Sequence, residues 1–279
     1  MKVMNAAARP VSKRSLSVYP ALVWLSVLIF GAVFVSLLPL PDPTAPVGPP
    51  SLPPFGPDGP LLGTDSVGRS VAARLVHGAQ ISLLVSVGAT AIACVVGTAL
   101  GLWAAYRRGR VERGIALLTD TLMAFPPLLV LLALAVVVTP GIATLVTALG
   151  ILFVPPFLRI AKAAALAEMG KEYILAARIL GATHFRVMTR DLLPNCLPAL
   201  ASYAVVVMAN MIVIEGSLSF LGVGIPPPAP SWGSMIAAGK DNLTETPFLI
   251  ALPCLAIFAT VYSLNSLGDR VRTRLTAGR

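Results

Sequence analysis

Long uncharged stretches separated by short, charge-rich islands set the plan of this chain. No charge occurs over 16–40, over the 28 residues 79–106, or over the 38 residues 121–158. A crossing of the roughly 30 Å hydrocarbon core needs about 20 apolar residues. The stretch 121–158 is too long for one crossing, because a single helix would reach roughly 57 Å. A turn is therefore expected at Thr139-Pro140-Gly141. The pattern predicts an all-α integral membrane fold with six transmembrane helices, over 17–38, 79–106, 115–138, 142–158, 197–221 and 247–267. Phe125-Pro126-Pro127 predicts a kink in the third. In the second, Gly97-x-x-x-Gly101 offers a close helix contact.

The islands differ in character. Residues 41–65 are rich in proline and carry Asp42, Asp58 and Asp65, which predicts an extended or irregular segment. A short surface helix is expected over 69–79. The segment 222–246 is again irregular and proline-rich. The chain thus divides into 1–78 (tail, first helix and proline-rich loop) and 79–279, a five-helix core interrupted by a polar segment at 159–195.

That polar segment organises the rest. Within 168–198, Tyr173, Ala176, Ala177 and Leu180 recur at helical spacing and make an apolar stripe, with Lys171, Glu172 and Arg178 off it. Gly181 can stop this helix, since glycine tolerates positive φ. Thr183 can cap a second short helix with the stripe Phe185, Met188 and Leu192. Pro194 ends that helix or begins the next element. Two short amphipathic helices joined at a glycine are expected.

Composition agrees with a membrane protein: 56% of residues are apolar and 12% charged. The net charge of +9 matters less than where it lies. With the N-terminus in the cytoplasm and six crossings, 18 of the 21 Lys and Arg face the cytoplasm, leaving Arg69, Arg74 and Lys240 outside. The positive-inside bias favours this orientation, with both termini and the segment 159–195 cytoplasmic. The run 16–40 is too long for a signal-peptide core, so a retained membrane helix is expected.

Candidate chemistry is sparse. There is no G-x-x-x-x-G-K-[ST], H-E-x-x-H or G-x-S-x-G sequence. Cys94, Cys196 and Cys254 form no C-x-x-C pair, and His77 and His184 stand apart. No catalytic site, cofactor or metal is expected on this chain, and any uphill transport must draw on a partner or an ion gradient. Glu215 is an ionisable group inside a predicted span, which marks it for an interhelical, pore-lining or proton-relay role. Asn210 and Ser217 are further pore or interhelical candidates, and Asp120 an anchor at a helix end.

Residue order adds a resemblance. Ala176-Ala177-Arg178-x-x-Gly181-Ala182, followed by Arg190-x-x-Leu193-Pro194-Asn195, resembles the "EAA" loop of ABC-transporter permeases. More narrowly, it is similar to the dipeptide/oligopeptide (DppC/OppC-like) binding-protein-dependent family. The runs Leu62-Gly-Thr-Asp-x-x-Gly-Arg, Phe125-Pro126 and Glu215-Gly-Ser-Leu-Ser-Phe-Leu-Gly resemble that family too. Two positions depart from its pattern: Leu175 stands where Glu precedes Ala-Ala, and Asp191 where His is common.

The resemblance implies a type I ABC importer permease. In it, residues from Glu172 and Tyr173 through Phe185 to Pro194 would form the coupling loop that meets a cytoplasmic ATPase. It also implies a homologous second permease, two ATPase domains carrying ATP and Mg, an extracytoplasmic substrate-binding protein, and a multi-pass place in the inner membrane lipid. Nucleic acid is not an expected partner. Peptides are the implied cargo. A nickel importer of the same type, an ion-coupled transporter using Glu215, and a membrane scaffold remain as alternatives.

The charge pattern makes a testable statement about orientation. In a chain freed of its native cysteines, Ser51→Cys and Ser234→Cys should react with an impermeant maleimide from the outer side only. Labelling from the cytoplasmic side would refute the orientation.

Overall fold

A computed structural model describes residues 18–56, 59–107 and 109–277. Lys2, Arg9, Lys13, Arg14, Asp58, Arg108 and Arg279 lie outside the described residues. Among the described residues the regular elements are helices: α1 (Val18–Val33), α2 (Val71–Arg107), α3 (Arg110–Met123), α4 (Pro127–Val137), α5 (Ile142–Leu152), α6 (Val154–Met169), α7 (Glu172–Ile179), α8 (His184–Arg186), α9 (Leu193–Phe220), α10 (Trp232–Gly239) and α11 (Phe248–Ala277). Among the described residues the only extended pairing is two isolated bridges, Pro46–Arg69 and Thr64–Ser70.

Three helical stretches are long and apolar enough to cross a membrane: Val71–Arg107, His184–Phe220 and Phe248–Thr273. Two bent pairs pass the same test together, α3 with α4 at 80° and α5 with α6 at 41°. The first bend falls at Phe125-Pro126, where proline cannot continue the ladder; the second falls at Phe153, ahead of Pro155 and Pro156. The 16-residue α1 would rise only roughly 24 Å. Length and composition therefore give up to five spans plus the short α1, where six full crossings are predicted.

Two boundaries differ from the sequence expectation. The surface helix expected over 69–79 is the first turns of α2, which runs unbroken from Val71 to Arg107. The irregular segment 222–246 contains α10, capped by reciprocal bonds between Ser231 and Ser234. Trp232 is 1% exposed and donates from Nε1 to the Leu75 carbonyl at 3.0 Å.

The helix α2 is the mast of the molecule. Its small residues Ala89, Ala93, Gly97, Gly101 and Ala105 recur every four positions and are buried. At Gly97 and Gly101 the backbone of α6 lies directly against it. A Cβ at Gly101 would sit 2.6 Å from the Leu158 oxygen and 2.7 Å from Ala161 Cβ. One apolar core joins α2, α5, α6 and α9 around Leu149, Phe157, Leu200 and Met211. A second joins α1, α2, α9, α10 and α11 around Val71, Ile212, Trp232 and Leu249. By contrast, α3 and α4 leave Leu117, Leu129, Val136 and Val137 largely exposed.

The proline-rich loop before α2 is irregular as expected, yet tied down. Asp65 accepts from the amides of Val67 and Arg69, both at 2.9 Å, and from Arg69 Nε at 2.7 Å. Arg74, 5% exposed, pairs with the same carboxylate at 3.4 Å and donates to the Pro43 carbonyl at 3.0 Å.

The α2–α6 contact predicts a graded cost. Extra methylenes in a filled site cost about 1–3 kcal/mol or more. Gly101→Val should lower the thermal denaturation midpoint of the purified protein by several degrees. Gly114→Val, where nothing lies within 4 Å of the added carbon, should leave it unchanged. Equal midpoints for the two variants would show that this contact does not limit stability.

Candidate functional site

The polar segment begins where α6 ends. Glu168, 3% exposed, closes that helix and accepts from Lys171 Nζ and Tyr173 Oη, each at 2.8 Å. Loss of hydration around the phenol, then its bond to Glu168 and that carboxylate's charge, push the Tyr173 hydroxyl up to about 12. It therefore stays protonated, and a donor, at neutral pH. Ile174 is fully buried and pins α7 to the core.

The rest of α7 projects. Of the predicted stripe, Ala176 and Leu180 are exposed, Leu180 by 86%, while Tyr173 is tethered and Ala177 half-buried. The opposite flank is also apolar and open, with Leu175 60% and Ile179 76% exposed. Seated along one edge, α7 thus offers leucine and isoleucine on both sides. Glu172 and Arg178 are exposed.

A glycine ends this helix in a defined way. Gly181 has φ +80°, its amide donates to the Arg178 carbonyl at 3.0 Å, and the Ala182 amide donates to the Ala177 carbonyl at 3.0 Å. These are the paired bonds of a Schellman motif, which needs a left-handed residue at this position. Thr183 then caps the next turn, its Oγ1 accepting from the Arg186 amide at 3.4 Å.

The second helix corrects the sequence expectation. It is not a separate short element, because 184–220 is one continuous helix whose entry, Val187–Leu192, is a π turn. Of the two readings the sequence left open for Pro194, the second holds: it begins the next element, α9. It sits in the first turn of α9, where the wider π turn absorbs its missing N–H. Asn195 Nδ2 donates instead to the Asp191 carbonyl at 2.7 Å. The buried residues here are Val187 and Leu192, with Met188 and Leu193 half-buried. Phe185 is 75% exposed, and Arg190 and Pro194 are also exposed.

Tyr106, at the end of α2, gathers the two halves. The Arg178 guanidinium lies 4.8 Å from its ring centre, and its hydroxyl meets His184 Nδ1 at 2.7 Å. Sequence reasoning passed over Tyr106, Glu168 and Ile174. Tyr106 carried one signal, as the last residue of an uncharged run beside a basic cluster. Nearby, Glu112 pairs with Lys162 and Asp120 with Arg159, both at 2.6 Å, linking α3 to α6.

Glu215 lies elsewhere, enclosed toward the other end of α9. It is 0% exposed and accepts from Ser82 Oγ at 2.9 Å and Ser219 Oγ at 2.8 Å. Ser219 Oγ in turn accepts from Ser231 Oγ at 3.2 Å and the Ile225 amide at 3.3 Å. One carboxylate thereby ties α2, α9 and the lead into α10. Asn210 and Ser217 do not join it. Asn210 is exposed, and Ser217 donates to the Val213 carbonyl at 2.8 Å.

Fold and site together define an α-helical, multi-pass membrane subunit. Residues 97–277 match the model of the binding-protein-dependent transport system inner membrane component. The chain belongs to that family, the permease subunits of ABC importers. It is 36% identical over 215 residues to the di/tripeptide transport system permease protein DppC of Pseudomonas aeruginosa, covering 77% of this chain and 71% of that one. It is 35% identical over 214 residues to the glutathione transport system permease protein GsiD of Pectobacterium atrosepticum, with 77% and 71% covered. The dipeptide transport system permease protein DppC of Haemophilus influenzae is 31% identical over 215 residues, with 77% and 73% covered. Among solved structures, an inward-facing form of the MetNI methionine ABC transporter is similar in fold, with a TM-score of 0.60 and 20% identity over 72% of this chain and 95% of that chain.

Proposed function

We propose that this chain is the permease subunit of an ATP-driven importer of short peptides. It would form the path with a homologous second permease, receive cargo from an extracytoplasmic binding protein, and take its energy from two cytoplasmic ATPase domains that hold ATP and Mg. The relatives named for di- and tripeptide, dipeptide and glutathione transport support the cargo. The orientation with both termini in the cytoplasm follows the positive-inside bias.

One observation carries the coupling role. α7 is a projecting apolar helix held rigidly at both ends, by Glu168 and Ile174 before it and the Gly181 turn after it. Leucine and isoleucine exposed on both flanks suit a helix that inserts into a partner's groove. A rigid seat lets a push on α7 reach α6, α2 and α9 instead of being lost in a loop. Glu215, enclosed by hydroxyl donors, supports a positioning role for that residue over a proton relay.

Reconstitution with the second permease, the ATPases and the binding protein tests the reading. Dipeptide uptake should need ATP and survive an uncoupler at constant ATP. Ala177→Asp places a carboxylate in the contact, at a cost of several kcal/mol by order of magnitude. Gly181→Val strains the turn by about 1–2 kcal/mol. Both variants should insert and pair with the second permease, yet retain ATPase weakly and lose uptake. Full uptake by both would remove α7 as the coupling element. Uptake abolished by the uncoupler would favour an ion-coupled transporter.

A further inference from the structure

The helix α3 meets the protein with one face and leaves the other bare. Glu112, Ile115, Ala116 and Thr119, at steps of three, one and three residues, share the inner face. They border a cavity of about 220 Å³ whose other wall includes Leu158 and Lys162 of α6. Charge toward α6 is settled, because Glu112 pairs with Lys162 and Asp120 with Arg159.

Arg110, Arg113 and Leu117, at steps of three and four, lie on the opposite face. All three are exposed, Leu117 by 70%, and Leu118 beside them is exposed by 61%. A Cβ added at Gly114, between the arginines and the leucines, would meet nothing within 4 Å. Among the described residues no ion pair or side-chain hydrogen bond reaches Arg110, Arg113 or Arg107, the exposed last residue of α2. Arg107 closes the uncharged run 79–106, so these cations stand at the edge of the hydrocarbon, on the side that the positive-inside bias assigns to the cytoplasm. Further along α3, Asp120 meets Arg159, next to the Leu158 that packs on Gly101, so α3 runs from that edge into the apolar layer. From Arg110 to Leu117 it rises about 10 Å, of the order of one headgroup layer at about 5–8 Å. The bare face thus passes from cationic to apolar over the distance in which a phospholipid passes from phosphate to acyl chain.

We propose that this face of α3 holds an anionic phospholipid of the inner leaflet, its phosphate on Arg110 and Arg113 with Arg107 alongside, and an acyl chain along Leu117 and Leu118. Guanidinium forks match phosphate oxygens with paired donors. Basic residues bordering the cytoplasmic end of a membrane helix attract anionic headgroups. The orientation bias accounts for how many basic residues this loop carries, but not for two of them facing away from α6 in line with leucines. Helix stability does not account for them either, since arginine in a first turn opposes the macrodipole. A protein partner would have to bring acids to the same spot or bury two unpaired cations, which is costly. Lipid supplies phosphate and hydrocarbon in the required order. Seated here, it would brace the α3–α4 bend from outside as the two ion pairs to α6 brace it from within.

Native mass spectrometry of the purified full-length chain, titrated with palmitoyl-oleoyl phosphatidylglycerol or the matching phosphatidylcholine, tests the site without any transport assay. Phosphatidylglycerol should be retained about tenfold more tightly. Arg110→Gln with Arg113→Gln should weaken it about thirtyfold, at roughly fivefold per arginine, and leave phosphatidylcholine unchanged. Arg110→Lys with Arg113→Lys should keep most of the preference. Leu117→Ser with Leu118→Ser should weaken both lipids severalfold. Arg186→Gln with Arg190→Gln, which removes two exposed cations elsewhere on the same side, should change neither. Undiminished retention of phosphatidylglycerol by the Arg110/Arg113 glutamine pair overturns the proposal, and so does an equal loss in the Arg186/Arg190 control. Displacement by millimolar inorganic phosphate, with no effect of the leucine pair, would make this a site for a free anion. Retention lost on co-purification with the second permease would make the face a subunit interface. Either result overturns the lipid.

Discussion

The close approach of α2 and α6 is the constraint on which the rest depends. Gly97 and Gly101 let the two backbones meet, with Phe157, Leu158 and Ala161 seated where side chains of α2 would otherwise stand. In lipid the apolar effect does not favour helix pairing, so such packing carries much of the association. The contact fixes α6 in height as well as in angle. Tyr106 at the end of α2 and Glu168 at the end of α6 consequently reach the same side of the molecule. Those residues hold the two halves of the polar segment, through His184 and Arg178 in one case and Lys171 and Tyr173 in the other. The mast and the projecting helix are one packed unit.

Much of this was legible in the sequence. Uncharged runs located the membrane helices, because charge is excluded from hydrocarbon. Phe125-Pro126 marked the sharpest bend, and Gly181 and Thr183 marked the end and start that the structure has. The apolar stripe of α7 was legible from its helical spacing, but the apolar flank of Leu175 and Ile179 was not, because these look like ordinary helix residues until Ile174 takes the core position. Pro194 was open to two readings, and the structure takes the second, with Pro194 in the first turn of α9. Proline is tolerated in the first turn of a helix, and here it directly follows the π turn Val187–Leu192, so the two stretches run on as one. Tyr106 and Glu168 could not be found by periodicity, since Tyr106 acts through partners distant in sequence and Glu168 through partners beyond the end of its own helix.

The motifs between the helices also acquire physical content. In Leu62-Gly-Thr-Asp-x-x-Gly-Arg, Asp65 gathers two amides and two guanidinium groups, which holds an otherwise irregular loop in one shape. Gly78 leaves room for Trp232, whose ring approaches to 3.2 Å of the place a Cβ would take. Ser82, one turn further along α2, reaches Glu215. The proline-rich loop, α9 and the start of α10 are thereby all tied to α2.

Polar groups within the membrane helices fall into two kinds, and the distinction bears on what moves. Glu215 is enclosed, its oxygens met by Ser82 and Ser219, and Ser219 met in turn by Ser231 and Ile225. Removing any one member would leave buried groups unpaired, so the node acts as a clamp and resists rearrangement. Asn210, a turn and a half away on the same helix, is open and without a partner among the described residues. The clamp holds α9 to α2 and to the lead into α10. The bent pair α3 and α4 makes the contrast: apolar surfaces that this chain leaves uncovered, such as Leu129 and Val136, carry no such ties.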